Sequence, residues 1–386
     1  MREVYLDNAA TAFPKAPGVG KAMADYIEHV GCNIGRGGYQ AAYDAAGVAL
    51  ETRARLCALV NGPKPRNICL TPGATYSLNF LLRGLLRPGD RVVTTPMEHN
   101  AVLRPLHALE QAGVEVVYLP CTPLGEPDLS LLPALLTPGT RALMLTHASN
   151  VSGGVTDLAQ AGQLCRARNI FFLVDGAQSL GHLPVDMAQM CIDGLAFPGH
   201  KGLLGPQGIG GLAVTDALAQ ALTPTISGGT GSVSDSPDMP PFLPDRFEAG
   251  TLNLPGIYGL NAALCFLERE GAALVQREAA LTAHLLARLL ELEEDGLRVL
   301  GPRDPFAVRG AVISVDFPGL DNGEVAFRLA QDWGIATRCG LHCAPMAHKV
   351  LGSFPQGAVR FSPGPFTTFE DLDYAQDAVY RILKPQ

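Results

Sequence analysis

Between residues 67 and 197 the sequence alternates short apolar runs with longer amphipathic segments. The apolar runs are rich in Val, Ile, Leu and Phe and have the length of buried strands. The predicted strands cover residues 67–71, 91–95, 115–119, 141–146, 170–175 and 192–197, with helices near 75–86, 100–112, 128–136 and 157–168. This alternation predicts the α/β class, with a mostly parallel sheet covered by helices on both faces. Ligands of such sheets bind beyond the carboxyl ends of the strands.

The segments that precede and follow this alternation are less regular. Residues 1–38 predict an N-terminal arm with one helix near 18–30, and a second helix follows over 39–61. Residues 227–246 are rich in Gly, Ser and Pro and predict a loop, because these residues favour turns over helices and strands.

The C-terminal third predicts a smaller α+β lobe. Its predicted elements are strands near 296–300, 311–316 and 335–338 and helices over 276–294, 322–332 and 369–383. We therefore expect a large domain at 1–255 and a small domain at 256–386, with the arm at 1–38 joining the small domain.

The composition excludes several classes of protein. Hydrophobic residues make up 47% of the 386, enough for a large core, and the net charge of −8 argues against nucleic-acid or anionic-membrane partners. No apolar run is long enough to span a bilayer, and the N-terminus lacks a signal-peptide core, so a cytoplasmic location is expected. The nine cysteines are odd in number and form no CxxC pair, so neither a disulfide framework nor a metal site is expected.

Polar side chains follow the predicted strands at the expected ligand edge. The turn Pro72-Gly73-Ala74-Thr75 opens a helix, which suits either a phosphate or an ordinary helix cap. Asp175 ends a buried apolar strand, where a carboxylate needs a partner such as a protonated ring nitrogen. A helix cap or a metal ligand remains an alternative role for this residue.

Lys201 follows the last predicted strand, in a turn with glycines on both sides. Glycine allows a bulky ligand to approach the backbone, and a desolvated lysine is a nucleophile toward aldehydes. Taken alone, this segment favours an exposed lysine in a Gly/Pro loop over a cofactor-binding lysine. The polar residues at the strand ends together favour a cofactor with a phosphate, a carbonyl and a nitrogen heterocycle; they are Thr75, His99, Asn150, Asp175, Gln178, His200 and Lys201.

Two further candidates lie in the predicted small domain. Arg360 sits in an apolar strand, where it would pair either with a substrate carboxylate or with an internal acid. Cys343 adjoins His342 and follows Arg338, an electropositive setting that favours a thiolate nucleophile, although an inert loop thiol is the alternative.

The chain resembles the pyridoxal-phosphate (PLP) dependent cysteine desulfurases and selenocysteine lyases of the class V aminotransferase superfamily. The resemblance covers almost the whole chain and rests on the motifs Tyr5 to Thr11, Gly73-Ala74-Thr75, Glu98-His99, Ser149 to Gly153, Asp175 to Gln178, Gly199-His200-Lys201 and Arg338 to Ala344. It implies the type I fold of PLP-dependent transferases and a homodimer. The motif Arg338 to Ala344 is similar to that of the branch called group II.

The resemblance also implies roles for individual residues. Lys201 would be the Schiff-base lysine, Asp175 the partner of the pyridine nitrogen, and Cys343 the nucleophile. The implied cofactor contacts are Ala74, Thr75, His99, Asn150, Asp175, Gln178, His200, Lys201 and, from the neighbouring subunit, Thr251. The implied catalytic residues are Lys201, Cys343 and His99, and the implied substrate contacts are Arg360, Arg338, Asn150 and Asn8.

The implied reaction removes sulfur from L-cysteine, giving L-alanine and a persulfide on Cys343. The persulfide sulfur would then be transferred to an acceptor, for which a protein is one candidate. L-selenocysteine is an alternative substrate, and a class V aminotransferase or lyase without a role for Cys343 is an alternative enzyme. The sequence departs from the family pattern at Pro198, Tyr76, Gly35 and Cys339. Cys339 would either fill space or form a switching disulfide with Cys343, and Pro198 removes a hydroxyl that relatives offer to the phosphate.

Overall fold

The computed structural model describes residues 2–384. The strands are β1 (Val4–Tyr5), β2 (Ile68–Thr71), β3 (Arg91–Thr94), β4 (Glu115–Tyr118), β5 (Thr140–Thr146), β6 (Phe171–Asp175), β7 (Gly194–Pro198), β8 (Gly210–Val214), β9 (Arg298–Leu300), β10 (Ile313–Asp316), β11 (Ile335–Ala336), β12 (Arg338–Gly340) and β13 (Ala358–Phe361). The α-helices are α1 (Val19–Asp25), α2 (Gln40–Leu59), α3 (Ala74–Leu85), α4 (Asn100–Gln111), α5 (Leu132–Leu135), α6 (Leu158–Ala167), α7 (Asp216–Ala221), α8 (Leu254–Glu291), α9 (Asn322–Trp333), α10 (Pro345–Val350) and α11 (Phe369–Leu383).

The largest sheet has seven strands in the order β2-β8-β7-β6-β5-β3-β4. All neighbouring pairs from β7 to β4 are parallel, which confirms the predicted α/β class and the mostly parallel sheet. Successive residues of β6 face opposite sides, so Phe172 and Val174 join one hydrophobic core and Leu173 joins the other. Burial on both faces explains why these strands read as continuous apolar runs in the sequence.

Strand β8 was not predicted from the sequence, and it runs antiparallel to both of its neighbours, β2 and β7. It begins with Gly210 and Gly211, and glycine weakens a strand pattern. The structure explains both glycines, since a side chain at Gly210 would meet the carbonyl of Phe197, and one at Gly211 would meet the Phe197 ring. Close packing against β7 therefore removes the usual strand signal from this segment.

Two predicted helices have different lengths in the structure. The segment predicted at 276–294 belongs to α8, a single helix of 38 residues that starts at Leu254. Its first half packs in the core of the large sheet through Leu260, and its second half packs in the C-terminal core through Leu285. The helix predicted at 128–136 is only a 3-10 turn followed by the four residues of α5, because the proline at position 133 interrupts the backbone hydrogen bonding.

The C-terminal part contains a four-stranded antiparallel sheet in the order β12-β13-β10-β9. The strand predicted at 335–338 is two short strands, because β11 pairs with β1 of the N-terminal arm and β12 enters the four-stranded sheet. A bridge between Asp7 and Ser362 extends the contact of the arm with this region. Within residues 2–384, no helix is both long enough and apolar enough for a membrane crossing.

Candidate active site

A cavity of about 420 Å³ lies beyond the carboxyl ends of the parallel strands. Its walls come from the turns after β2, β3, β5, β6 and β7, as the connectivity of a parallel sheet requires. The structure brings together in this cavity eight of the residues selected from the sequence, namely Ala74, Thr75, His99, Asn150, Asp175, Gln178, His200 and Lys201. Arg360, Arg338, Cys343, Asn8 and Thr251 are not among the residues that line it.

One end of the cavity is formed by the start of α3. Gly73 precedes the helix with φ of 150°, a value that favours glycine, and its N–H donates to the Thr71 hydroxyl at 3.3 Å. Ala74 and Thr75 are the first residues of α3, so their backbone N–H groups have no acceptor inside the helix. These groups and the positive end of the helix dipole suit a phosphate.

Pro198 also lines the cavity, and its ring has no hydroxyl to offer to a phosphate. Gln207 and Gly208 line the cavity as well, in the turn that leads into β8. The amide of Gln207 is therefore a polar side chain of the cavity lining, besides those of His200 and Lys201, that follows Pro198 in the chain. Gln207 was not predicted as a site residue, because the strand that follows it was not recognised in the sequence.

His200 is held by the N-terminal arm. Its Nδ1 lies 3.1 Å from the hydroxyl of Thr11, and the Lys15 ammonium donates to both the Thr11 hydroxyl and the His200 carbonyl, at 3.0 and 2.9 Å. Burial, with the charges of Lys201 and Lys15, lowers the pKa of His200 to about 4. His200 is therefore neutral at physiological pH, and Thr11 and Lys15 fix the position of the imidazole ring and of the backbone next to Lys201.

Asp175 ends β6 and is only 3% exposed. Its Oδ1 accepts a hydrogen bond from the Ala177 N–H at 2.9 Å. Burial raises the pKa of this carboxyl, against the effects of that hydrogen bond and of the Lys201 charge. A cationic or N–H donor entering the cavity would stabilise the ionised form, which is the property that a protonated ring nitrogen requires.

Lys201 follows β7 and enters the cavity from the sheet edge. Burial lowers the pKa of its amine to about 8, against the effect of the Asp175 carboxylate, and Arg360 and Arg338 lower it further. An amine with this pKa is neutral in an appreciable fraction of molecules near pH 7, whereas an ordinary lysine is not. The site therefore contains one amine that is prepared to attack a carbonyl group.

His99 caps the N-terminus of α4. Its Nδ1 accepts a hydrogen bond from the Ala101 N–H at 2.9 Å, so the neutral ring carries its proton on Nε2. Burial, together with the charges of Lys201, Arg360 and Arg104, lowers the pKa of His99 to about 4. The structure thus presents a neutral imidazole with an N–H donor to the cavity.

Glu98 directly precedes His99 and had no predicted role of its own. Its side chain is fully buried, and Oε1 accepts hydrogen bonds from the Thr95 hydroxyl at 2.7 Å and the Thr146 N–H at 3.0 Å. Burial raises the pKa of Glu98 to about 8. A neutral Glu98 joins the ends of β3 and β5, and it leaves Asp175 as the ionisable acid that lines the cavity.

Gln178 is also hydrogen-bonded to the N-terminal arm, and Asn8 belongs to it. The amide of Gln178 donates to the carbonyl of Ala9 at 3.0 Å. The amide of Asn8 donates to the carbonyls of Ser362 and Tyr5 and accepts from the Phe13 N–H, at 3.1 to 3.3 Å. The Asn8 side chain therefore connects the arm to the loop after β13, and its contact with substrate stays a prediction.

Asp7 is the counter-ion of both arginines, and it was not predicted from the sequence. Its carboxylate accepts from Arg338 Nε and Nη2, at 3.1 and 2.9 Å, and from Arg360 Nη2 at 3.2 Å. Arg360 also donates through Nη1 to the Asn150 carbonyl at 3.1 Å, and its Nε is buried with no hydrogen-bond partner within residues 2–384. The internal salt bridge exists, and within residues 2–384 the buried Nε–H is the part of this guanidinium that has no acceptor.

Cys343 lies on the loop between β12 and α10. Among the nine cysteines, all within residues 2–384, it alone is exposed. The Asn100 N–H donates to the Cys343 carbonyl, and the Asn150 amide donates to the His342 carbonyl, both at 2.7 Å. Cys343 is also near enough to influence the pKa values of Lys201, Arg338 and Arg360. The thiol and the lysine cavity thus belong to one site.

Thr251 lies in a neighbouring cavity of about 230 Å³. It also lines a third cavity with Asn33, Gly35 and Arg36. Gly35 has φ of 106°, and an added side chain would meet the backbone of Gly231, which explains the absence of a larger residue at this position. Thr251 is exposed and is separate from the Lys201 cavity in this chain.

The residues of the cavity fit PLP. The start of α3 offers free N–H groups for a phosphate, the buried carboxyl of Asp175 needs a cationic or N–H partner, and Lys201 supplies an amine of lowered pKa. These are the three groups that the cofactor requires for its phosphate, its ring nitrogen and its aldehyde. Within residues 2–384, no cluster of three or more His, Cys, Asp or Glu side chains is placed to hold a metal ion.

Comparison with known proteins places the chain in a family. Residues 4–375 match the family described as aminotransferase class-V. The chain is 36% identical over 391 residues to the cysteine desulfurase CsdA of Escherichia coli (strain K12), covering 99% of this chain and 94% of that protein. It is 33% identical over 385 residues to a probable cysteine desulfurase of Methanothermobacter thermautotrophicus, covering 98% and 94%.

The structure is similar to the apo structure of a cysteine desulfurase from Thermococcus onnurineus NA1. The TM-score is 0.91 at 31% identity, with 100% of this chain and 95% of that chain covered. This similarity confirms the predicted type I fold. The chain therefore belongs to the class-V aminotransferase family and is related along its whole length to cysteine desulfurases.

Proposed function

We propose that this chain is a PLP-dependent cysteine desulfurase that converts L-cysteine to L-alanine and leaves a persulfide on Cys343. The observation that carries the proposal is the attachment of the exposed Cys343 loop to two sides of the lysine cavity. Asn150 lines the cavity, and its amide donates a hydrogen bond to the carbonyl of His342. The backbone N–H of Asn100, next to His99, donates a hydrogen bond to the carbonyl of Cys343.

The cofactor would be held by residues whose chemistry matches its parts. The N–H groups at Ala74 and Thr75 would bind its phosphate with His200, and the Asp175 carboxylate would accept a hydrogen bond from the protonated ring nitrogen. His99 would lie against the ring, and Gln178 would donate to the ring oxygen. When bound, PLP supplies an electron sink for the bonds around the substrate α-carbon.

The protein side chains would position the amino acid and move its protons. Arg360 would bind the substrate carboxylate through its guanidinium, with Arg338 and Asn150 completing that end of the site. Lys201, with a pKa of about 8, would accept the α-proton and later return a proton to the product. The Nε2–H of His99 provides a second donor facing the cavity.

Sulfur transfer would use Cys343 as the nucleophile. Its thiolate attacks the substrate sulfur, the new S–S bond forms, and the bond between that sulfur and the substrate β-carbon breaks. The electron pair of the broken bond goes to the β-carbon, which takes a proton and becomes the methyl group of alanine. The substrate thiol releases a proton, which balances the one taken up at the β-carbon. Cysteine thus loses its sulfur to the protein, and the persulfide carries the negative charge that the Cys343 thiolate had.

The homodimer is part of this proposal, because Thr251 does not line the lysine cavity of its own chain. A second copy would bring its Thr251 to the phosphate end of the site. Large apolar side chains exposed in the single chain support a buried interface between copies, and they include Tyr39, Tyr43, Leu50 and Tyr76.

Mixed dimers test this arrangement. Chains with Lys201→Ala and with Thr251→Ala each retain little cofactor at limiting PLP, but dimers that combine them regain one intact site if Thr251 acts across the interface. Random mixing then restores about a quarter of the wild-type sites, half of the dimers being mixed with one good site each. No recovery on co-expression would assign Thr251 to its own chain.

The natural sulfur acceptor would be a thiol that reaches the exposed Cys343, and a protein thiol is part of the proposal. We also propose a cytoplasmic setting, where reducing conditions suit nine free cysteines. Selenocysteine lyase is the second candidate, because the same residues would cleave the weaker carbon–selenium bond. An aminotransferase or lyase that makes no use of Cys343 is the third.

A substrate comparison distinguishes the three candidates. The purified protein is incubated with PLP and L-cysteine, with PLP and L-selenocysteine, or with an amino acid and a keto acid. Cysteine desulfurase activity yields alanine and, with dithiothreitol present, an equal amount of sulfide. Selenide from selenocysteine without turnover of cysteine would identify the lyase, and a new amino acid formed from the keto acid would identify an aminotransferase.

A further inference from the structure

A buried row of three side chains lies beneath the Cys343 loop and plays no part in the reaction described above. His342 Nε2 lies 3.2 Å from the Arg338 carbonyl, and its Nδ1 lies 3.2 Å from His348 Nε2. His348 Nδ1 lies 2.7 Å from the Ser353 hydroxyl. The two rings are stacked, His348 is completely buried, and Ser353 is 5% exposed.

The hydrogen bonds of this row are all donated in the same direction, from Ser353 toward the Arg338 carbonyl. A carbonyl can only accept, so His342 Nε2 carries a proton. Burial, with the nearby Arg360 and Arg338, lowers the pKa of His342 to about 3, and burial lowers that of His348 to about 4, so both rings are neutral. His342 Nδ1 therefore accepts from His348 Nε2–H, and His348 Nδ1 accepts from the Ser353 hydroxyl.

The row joins parts of the chain on either side of the nucleophile. Arg338 belongs to β12, His348 belongs to α10, and Ser353 lies in the loop that leads to β13. The Cys343 loop is the segment between the first two of these parts. Because each link uses one donor and one acceptor of fixed direction, the row sets the position of α10 relative to β12.

The backbone of the loop needs such support. His342 and Cys343 both have left-handed conformations, with φ of 48° and 55°, which are unfavourable for residues with a β-carbon. The carbonyls of these two residues accept from Asn150 and Asn100 on the cavity side. On the opposite side, the His342 ring is the group that anchors the strained pair.

We propose that His348 and Ser353 are positioning residues for the nucleophile, acting through His342 to hold Cys343 in its left-handed conformation beside the lysine cavity. This inference rests on the proposed role of Cys343. It extends that proposal by assigning two buried residues outside the Arg338 to Ala344 motif to the presentation of its thiol.

Two variants of His348 separate positioning from general stability. His348→Leu keeps much of the buried volume but offers no donor to His342 and no acceptor to Ser353. His348→Gln retains an amide N–H and a carbonyl oxygen that take over both links. The matched control is His107→Leu, which replaces an exposed histidine of α4 that takes no part in the site.

In the full-length protein loaded with PLP, we expect His348→Leu to lower kcat for alanine formation about 10-fold or more, because small displacements of a reacting group have large effects on rate. KM for L-cysteine stays within about twofold, since Arg360 is not in the row. The rate of Cys343 alkylation by iodoacetamide, read from the Cys343 peptide by mass spectrometry, changes in parallel with kcat. His348→Gln restores most of both rates.

Alkylation keeps the inference separate from the proposed function, because it needs no turnover. If the wild type forms no alanine but His348→Leu changes alkylation and His348→Gln restores it, the row positions Cys343 although the enzyme is not a desulfurase. Unchanged alkylation in His348→Leu overturns the inference, even if kcat falls. Should His348→Leu fail to fold, Ser353→Ala gives the same test, with a several-fold effect expected and wild-type rates again overturning the inference.

Discussion

Replacing Lys201 with alanine is expected to give a folded protein that no longer retains PLP covalently. The wild type, mixed with PLP and passed through a desalting column, should keep a yellow chromophore that borohydride fixes to Lys201. The variant lacks the only amine that lines the cavity within residues 2–384, so the chromophore is lost and alanine formation falls about 1,000-fold or more. Absorbance after desalting and a peptide map of the reduced protein measure the result.

Lys15→Ala is the matched control for this result. Lys15 also has a pKa lowered by burial to about 8, but its amine is bonded to Thr11 and the His200 carbonyl rather than placed in the cavity. The control should therefore retain the borohydride-fixed chromophore on Lys201. Two results would contradict the assignment. One is an amount of borohydride-fixed cofactor in Lys201→Ala equal to that of the wild type, and the other is fixed cofactor on Lys15 instead of Lys201 in the wild type.

The lowered pKa of Lys201 gives the same experiment a pH dependence. Only the neutral amine attacks the aldehyde, and this form increases as pH rises through the value of about 8. The initial rate of PLP capture by the apoprotein should increase about 10-fold between pH 7 and pH 9 and then level off. A rate that continues to rise toward pH 10.5 would show that the amine is not perturbed.

The parallel sheet was predictable because its strands are buried on both faces and read as apolar runs. β5, β6 and β7 end where polar residues begin, so the sequence also placed Asn150, Asp175 and Lys201 at one edge. That inference needs only the rule that parallel strands share the direction of their carboxyl ends. The same reasoning failed for β8, since its glycines are set by the approach of the Phe197 ring.

The contacts of the arm were less predictable, because they depend on pairing between distant parts of the chain. β1 pairs with β11 across 331 residues, and this brings the carboxylate of Asp7 to Arg338 and Arg360. The arm motif was recognised in the sequence, but its polar contact was assigned to Asn8. An acid that directly follows a short apolar strand was the available signal for Asp7, as it was for Asp175.

The support of the Cys343 loop could not be read from spacing at all. His342 and His348 are six residues apart, and neither their stacking nor the sequence of donors follows from that interval. It arises because α10 turns the chain back beneath the loop before β13 pairs with β12. Side-chain direction in such a row is a property of tertiary packing.

Replacing Cys343 with alanine is expected to stop alanine formation from L-cysteine while PLP remains bound. The cofactor contacts lie in the lysine cavity, which Cys343 does not line, so the absorbance of the bound cofactor should be unchanged. Alanine keeps a β-carbon, so the left-handed backbone at this position is strained to the same degree in the variant and in the wild type. Loss of the nucleophile should lower kcat about 100-fold or more.

Cys339→Ala is the matched control, because it removes the other thiol of the same loop region. Cys339 is partly buried in β12, and burial raises the pKa of its thiol, so it is a poor nucleophile. The control should retain alanine formation with and without dithiothreitol. A wild type that loses activity on mild oxidation, with Cys339→Ala protected, would instead assign a disulfide switch to the pair. Full desulfurase activity in Cys343→Ala would contradict the persulfide mechanism, because none of the other seven cysteines within residues 2–384 is exposed.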